Sequence, residues 1–183
     1  MRRRCERQYL KDIRQGRREA YEAVISQNYE SIYRFVLYLT GDSVLSEDLT
    51  QETFVSAWTS IDQYTGRASL KTWLHRIAYH KFIDSKRAIE RRIALMTELK
   101  KYKKYITQIP HPLHQLISDE NSRCLWQAIY NLQALEHIVI VLHYIQGFSF
   151  SEMAKVLDQP GGTVKWRTSQ ALKKLKALLT DRV

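Results

Sequence analysis

The sequence predicts an all-α protein: two small helical domains joined by a linker, the C-terminal one containing a helix-turn-helix. Three observations carry that expectation. Apolar residues recur at i, i+3, i+4 and i+7 through most of the 183 residues, which is the helical period. Two of the three prolines, Pro110 and Pro112, fall in one stretch that opposes helix and separates two periodic blocks. The stretch "SFSEMAKVLDQPGGTVKWRTSQALKKLK", from Ser149 to Lys176, reads as a short helix, a tight glycine turn and a longer basic helix.

The elements follow in order. A first helix is expected from about Arg17 to Thr40, with Tyr21, Val24, Ile25, Ile32, Val36 and Leu39 on one stripe. Gly41-Asp42 ends it. A second is expected from about Ser46 to Ile61, burying Phe54, Ala57, Trp58 and Ile61. "DQYTGRAS" is a loop with Gly66 in its middle, and the following helix has Leu70, Trp73, Leu74, Ile77 and Ala78 as its apolar face. These segments can share one core, giving a domain over 17–88 behind an N-terminal arm, 1–16. Residues 89–118, with "ELKKYKKYITQIPHPLHQ", read as a linker with a helical start. A second domain, 119–183, opens with a helix bearing Leu125, Trp126, Ile129 and Leu132. "HIVIVLHYI" is rich in β-branched residues, which suit a strand, but its helical surroundings and the following Gly147 favour helix. Ser149 and Glu152 form the S-x-x-E capping box that starts the next helix. The last helix is expected from Thr163.

Composition narrows the function. The formal net charge is +10, so a polyanion is the natural partner, nucleic acid before anionic membrane. Cys5 and Cys124 stand far apart with no CxxC or His/Cys cluster, which argues against a disulfide framework or zinc site and suits a reducing compartment. "MRRRCERQYL" has no apolar run behind it, as a secretory signal would, and no stretch approaches the roughly 18 apolar residues of a membrane span.

The last helix has two unlike sides. Advancing about 100° per residue from Val164 puts Val164, Ala171, Leu172, Leu175, Leu178 and Leu179 together. Trp166, Gln170 and Lys173 lie opposite, flanked by Ser169 and Lys174, with Lys165 and Arg167 nearer the edges. Arg and Lys suit phosphates and guanine edges, Gln suits adenine, and an indole suits a thymine methyl or sugar. In a helix-turn-helix that face is the DNA reader. Asp48, Gln51 and Glu52, at i, i+3 and i+4, make a polar and acidic face opposite Phe54, Trp58 and Ile61. Such a patch is a poor DNA contact on a basic protein and suits docking to a basic protein surface. On the helix after Gly66, Lys71, His75, Arg76, Tyr79, His80, Lys86 and Arg87 remain for surfaces other than the core, and cations with an aromatic suit phosphates and unstacked bases.

"SEDLTQETFVSAW", "GRASLKTWLHRIAYHKFIDSKR" and "GFSFSEMAKVLDQPGGTVKWR", in that order, resemble the extracytoplasmic-function sigma factors, the small class of sigma-70-family subunits of bacterial RNA polymerase. The resemblance spans nearly the whole chain apart from the arm and the linker. It implies a non-enzymatic initiation factor without cofactor, metal or small-molecule substrate. It also implies a cytoplasmic location, with core RNA polymerase, promoter DNA and an anti-sigma protein, often membrane-bound, as partners. Asp48, Gln51 and Glu52 match the family's D-x-x-Q-E, which implies docking on the coiled coil of the polymerase largest subunit. The loop with Tyr64, Arg67 and Ser69 matches the segment that captures an unpaired base of the minus-ten element. The helix carrying Lys71, His75, Arg76, Tyr79, His80, Lys86 and Arg87 matches the part that reads and melts it. The helix with Thr163, Lys165, Trp166, Arg167, Ser169, Gln170, Lys173 and Lys174 matches the reader of the minus-thirty-five element. The chain departs from the family at Trp166, where a serine is usual, at Gln170, near which a further arginine is common, and in "LQALEH", which lacks the usual proline after leucine.

Two other functions fit parts of the pattern. A stand-alone helix-turn-helix regulator would bind duplex operators without polymerase, but has no need of a base-capturing loop. A nuclease could share a magnesium ion between Asp48 and Glu52, but no supporting constellation and no phosphate-cradling glycine loop accompanies them.

Overall fold

The computed structural model describes residues 12–13, 15, 17–96 and 120–180. Most of the N-terminal arm, and the linker from 97 to 118, therefore lie outside the described residues. All regular elements among the described residues are helical. None of these helices is long and apolar enough to cross a membrane.

Helix α1 spans Arg18–Thr40 and stops at Gly41, whose φ of 71° lets its N–H reach the Leu37 carbonyl at 2.9 Å. Helix α2, Ser43–Thr59, begins three residues earlier than expected. The reason is Asp42, whose carboxylate accepts from the Val44 and Leu45 N–H groups at 2.9 and 3.0 Å and so caps the free donors of the first turn. A short 3₁₀ turn, Ile61–Gln63, leads into the loop, and α3 runs over Leu70–Met96. Residues 89–96, read as the start of the linker, continue this helix. Its start is capped by Ser69, whose Oγ accepts from the Thr72 N–H at 3.1 Å.

The C-terminal domain begins with α4, Glu120–Tyr130, and α5, Ala134–Ile140. A capping box starts α5: the Gln133 N–H donates to Glu136 Oε2 at 3.2 Å. "HIVIVLHYI" is helical throughout, and it closes with one π-helical turn, Val141–Ile145. The Gln146 N–H reaches Val141 O at 3.0 Å, and Gly147, at φ 71°, lets the Phe148 N–H reach Leu142 O, also at 3.0 Å. The sequence spacing shows helix here but not the wider turn. Helix α6, Phe150–Leu157, has the expected box between Ser149 and Glu152, with Ser149 N–H to Glu152 Oε2 at 3.0 Å. Helix α7 runs over Gly161–Thr180, two residues longer at its start than expected, because the Val164 N–H already bonds to Pro160 O at 3.1 Å.

The two domains pack on one another and their apolar interiors are continuous. Phe35, Ile32 and Leu74 from the N-terminal domain and Ile138, Leu142 and Met153 from the C-terminal one are all fully buried in one cluster. Helix α3 lies against α6 across the junction. Tyr38 of α1 stacks on Trp126 of α4, with centroids 4.9 Å apart and planes 7° off parallel.

Candidate polymerase and nucleic-acid interfaces

Helix α2 is turned the opposite way from a simple amphipathic helix. Its buried side holds Ser46, Thr50 and Thr53 beside Leu49, Phe54 and Ala57. The threonine hydroxyls are satisfied locally, donating to the carbonyls four residues back at 2.7 Å. The outward side holds Asp48, Gln51 and Glu52, as expected, together with Val44 and Val55, which are 70% and 64% exposed. Trp58, expected in the core, is 41% exposed, with its ring tilted 58° to that of Tyr21 and the centroids 4.5 Å apart. Tyr21 in turn donates its hydroxyl to the Phe54 carbonyl, and burial pushes its pKa up to about 12. Positions 44, 48, 51, 55 and 58 alternate steps of four and three, the spacing of a seam that packs on another helix. Val44, Val55 and Trp58 are the residues that reading missed; the heptad spacing was the available signal. Glu52 lies 3.3 Å from Lys81 Nζ.

The loop before α3 is tied down. Tyr64, expected as a base contact, is buried, donating its hydroxyl to Ala68 O at 2.6 Å and packing on Trp73 at 4.9 Å. Gly66, at φ 74°, makes the bend that brings these partners together. Arg67 is exposed, while Ser69 serves as the cap of α3. Gln63, Tyr64, Thr72, Trp73 and Arg76 line a cavity of about 350 Å³ that Lys155 of α6 also borders.

On α3 the expected DNA face meets the C-terminal domain. His75 is not on a surface. It is buried between Phe35 (5.1 Å) and Phe148 (4.8 Å), with its Nδ1 donating to Lys71 O at 2.9 Å. Desolvation drives its pKa down to about 4, so the ring is neutral. Tyr79 is also buried, and desolvation raises its phenol, an effect opposed by the neighbouring Arg87 and Arg167 cations. Lys71 donates to Gln146 O at 2.7 Å and lies 4.7 Å from the Phe148 ring centre. Arg76 and His80 both face Asp158 Oδ2, at 2.6 and 3.4 Å. Lys86 is half-buried at the edge of a groove between the domains, and Arg87 is exposed beside Asp84.

Helix α7 behaves differently. Val164, Thr168, Ala171 and Leu175 are buried, while Leu178 and Leu179 are half-buried. Leu172, expected inside, is 41% exposed. Trp166 is 60% exposed, and Lys165, Ser169 and Lys173 are open beside it. Thr163, Arg167 and Gln170 are half-buried along the margins. Lys174 points away from this face and forms a 2.5 Å ion pair with the buried Glu136 of α5.

Comparisons with known proteins give the family and the fold. Residues 24–92 match Sigma-70 region 2 and residues 122–175 match Sigma-70, region 4. The ECF RNA polymerase sigma factor SigW of Bacillus subtilis is 29% identical over 94% of this chain and 95% of its own length. SigX of the same organism is 30% identical, covering 86% and 82%, and SigC of Mycobacterium tuberculosis is 30% identical, covering 91% and 85%. Among solved structures, CnrH in complex with the cytosolic domain of CnrY shares the fold, with a TM-score of 0.73 at 21% identity over 98% of this chain and 99% of that one. So does the sigma factor RpoE of Bartonella quintana in complex with the anti-sigma factor NepR, with a TM-score of 0.68 at 22% identity over 87% and 96%. The chain belongs to the extracytoplasmic-function sigma factors of the sigma-70 family. Its work is that of a sigma subunit: to bind core RNA polymerase and direct promoter recognition and initiation. The stand-alone regulator is not favoured. Sigma factors are initiation factors rather than catalysts.

Proposed function

We propose that the two unlike surfaces divide the work of initiation. The outward seam of α2, with Asp48, Gln51 and Glu52 between Val44, Val55 and Trp58, docks on a helical, basic element of core polymerase. Its charge opposes the +10 balance of the chain, and its spacing fits a helix-on-helix contact. The loop with Arg67 and the first half of α3, with Lys71, Arg76 and His80, bind the opened minus-ten strand. Tyr64, Ser69 and His75 shape that region from within and do not touch DNA. Helix α7 reads the upstream element through Lys165, Trp166, Ser169, Gln170 and Lys173. The exposed Trp166 among cations, opposite the buried Val164–Leu175 side, is the observation that carries this part.

The chain acts without cofactor or catalysis, in the cytoplasm, under the control of an anti-sigma protein. The relatives support that last point, since the solved CnrH and RpoE structures are complexes with CnrY and the anti-sigma factor NepR.

The docking assignment is tested by Asp48→Lys with Glu52→Lys. Both side chains are exposed, so circular dichroism should be unchanged. Affinity for core polymerase should fall roughly tenfold or more, the scale of like-charge contact at an interface. Unchanged core affinity with an intact fold rejects the assignment. Transcription in vitro with core polymerase on fragmented genomic DNA, with start sites sequenced, tests promoter selection as a whole.

A further inference from the structure

Glu136 and Lys174 form a contact that neither polymerase docking nor DNA reading explains. Lys174 has the residue type and the helix of a DNA contact, yet its Nζ donates to Glu136 Oε1 at 2.5 Å. The Glu136 side chain is 8% exposed. Its other oxygen, Oε2, accepts from the Gln133 N–H at 3.2 Å, which pins the carboxylate to the first turn of α5. One buried carboxylate thus caps α5 and holds α7. Both ends of the tie lie within the C-terminal domain.

The remaining contact between α5 and α7 is less directional. Helix α7 packs along α5, and its buried stripe is Val164, Thr168, Ala171 and Leu175. Three of these four side chains are short, and the Thr168 hydroxyl donates to Val164 O at 2.9 Å within its own helix. Burial of such a stripe favours contact without fixing direction, whereas a charged hydrogen bond fixes both distance and angle. Lys174 stands about 80° round the helix from Trp166 and about 12 Å along it. The reading side chains lie at a radius of about 5–6 Å, so a turn of α7 by about 20° moves them by about 2 Å. That is enough to break a hydrogen bond to a base edge.

Stability alone is a poor reason for this pair, because desolvating two charges offsets much of their attraction. What the pair adds to an apolar contact is geometry. We propose that Glu136 is a positioning residue for upstream-element reading: through Lys174 it fixes the rotation of α7 about its own axis and so decides which side chains of the open face meet bases. This rests on the assignment of α7 as the upstream reader made above.

The test uses holoenzyme, promoters randomised across the upstream element, and sequencing of the bound fraction. In Glu136→Gln the amide can still cap Gln133, but Lys174 loses its anionic partner. Glu136→Gln with Lys174→Met removes the tie, leaves no charge unpaired and conserves net charge. Base preference at the upstream positions, the ratio of best to worst base, should fall at least about fivefold in the double variant. The single Glu136→Gln should fall between it and the parent. Affinity of the double variant for unrelated duplex should stay within about twofold, since its net charge is unchanged. Lys174→Arg keeps a charged donor for Glu136 and should hold the preference within about twofold of the parent's.

Unchanged preference in the double variant overturns the proposal. A loss as large in Lys174→Arg, or an even loss across all sequences, would make Lys174 a DNA contact and overturns it as well. Denaturant unfolding of the double variant should stay close to the parent's. A double variant that unfolds shows that the pair holds the domain together rather than aims the helix, which also overturns the proposal. If the parent holoenzyme has no preference at the upstream positions while still selecting the minus-ten element, α7 is not the reader. That result removes the underlying assignment, and it is distinct from a parent preference that survives loss of the pair.

Discussion

Helices α3 and α7 carry the same kinds of residue in opposite circumstances. Each has a stripe of aliphatic residues, several cations and an aromatic side chain away from the stripe. On α7 the polar side is open, with Trp166 60% exposed. On α3 the corresponding side is pressed against the other domain, His75 and Tyr79 are buried, and Lys71 and Arg76 are engaged by Gln146 and Asp158. The difference teaches that residue chemistry identifies a surface suited to DNA, while accessibility depends on what the rest of the chain lays over it.

The largest effect should come from removing the ring that joins the two domains. Phe148 is 2% exposed and packs on His75 and Lys71. Phe148→Ala should cost about 3–5 kcal/mol in denaturant unfolding, the usual range for a buried phenylalanine. A loss below about 1 kcal/mol would mean that the covered side of α3 is not packed as described.

Acid should act on the same junction. Burial lowers the pKa of His75 from 6.5 to about 4, so the folded chain holds the neutral ring and the unfolded chain takes up the proton more readily. The contribution of the neutral ring is therefore whole above about 6.5 and is lost as the pH falls toward 4, amounting to roughly 3 kcal/mol. His75→Gln should flatten the pH dependence of stability over this window, and a slope identical to the parent's would remove His75 as its source.

On the open helix the effects are smaller and fall on binding. Trp166→Ala should change unfolding free energy by no more than about 0.5 kcal/mol, as at an exposed site. It should weaken upstream-element binding by about 1–3 kcal/mol in a base-dependent way if the indole meets a base. Loss of folding would place Trp166 in the core after all. An even loss across promoters varied at each upstream position would make it a residue that orients the helix. Lys173→Ala should weaken all sequences alike and reduce the salt slope of binding by about one unit. A salt slope equal to the parent's would show that Lys173 meets no phosphate.

Much of this architecture was legible in the residues because helical signals are local. The 3.6-residue period, the S-x-x-E box at Ser149 and Glu152 and the glycines after α1 and α5 all act within one or two turns. The start of α2 was misplaced although its signal was present, since Asp42 was read as a turn residue and is a cap. Helical spacing puts Trp58 and Leu172 on the core side of their helices, yet both stand substantially open. On α2 the core side is instead filled by Thr50 and Thr53, whose hydroxyls return to their own helix and so can be buried at little cost.

The polarity of Asp48, Gln51 and Glu52, the basic outward side of α7 and the helix-turn-helix itself followed from the order of residues alone. Each depends on spacing within a single helix or across one short turn. The covering of α3 followed from nothing local. Ser31 meets Gln146, Arg67 meets Lys155 and Arg76 meets Asp158 across separations of 115, 88 and 82 residues. A lysine or an arginine looks the same in sequence whether its partner is water, a phosphate or a distant carbonyl or carboxylate, and only the packing of one domain on the other chooses among them.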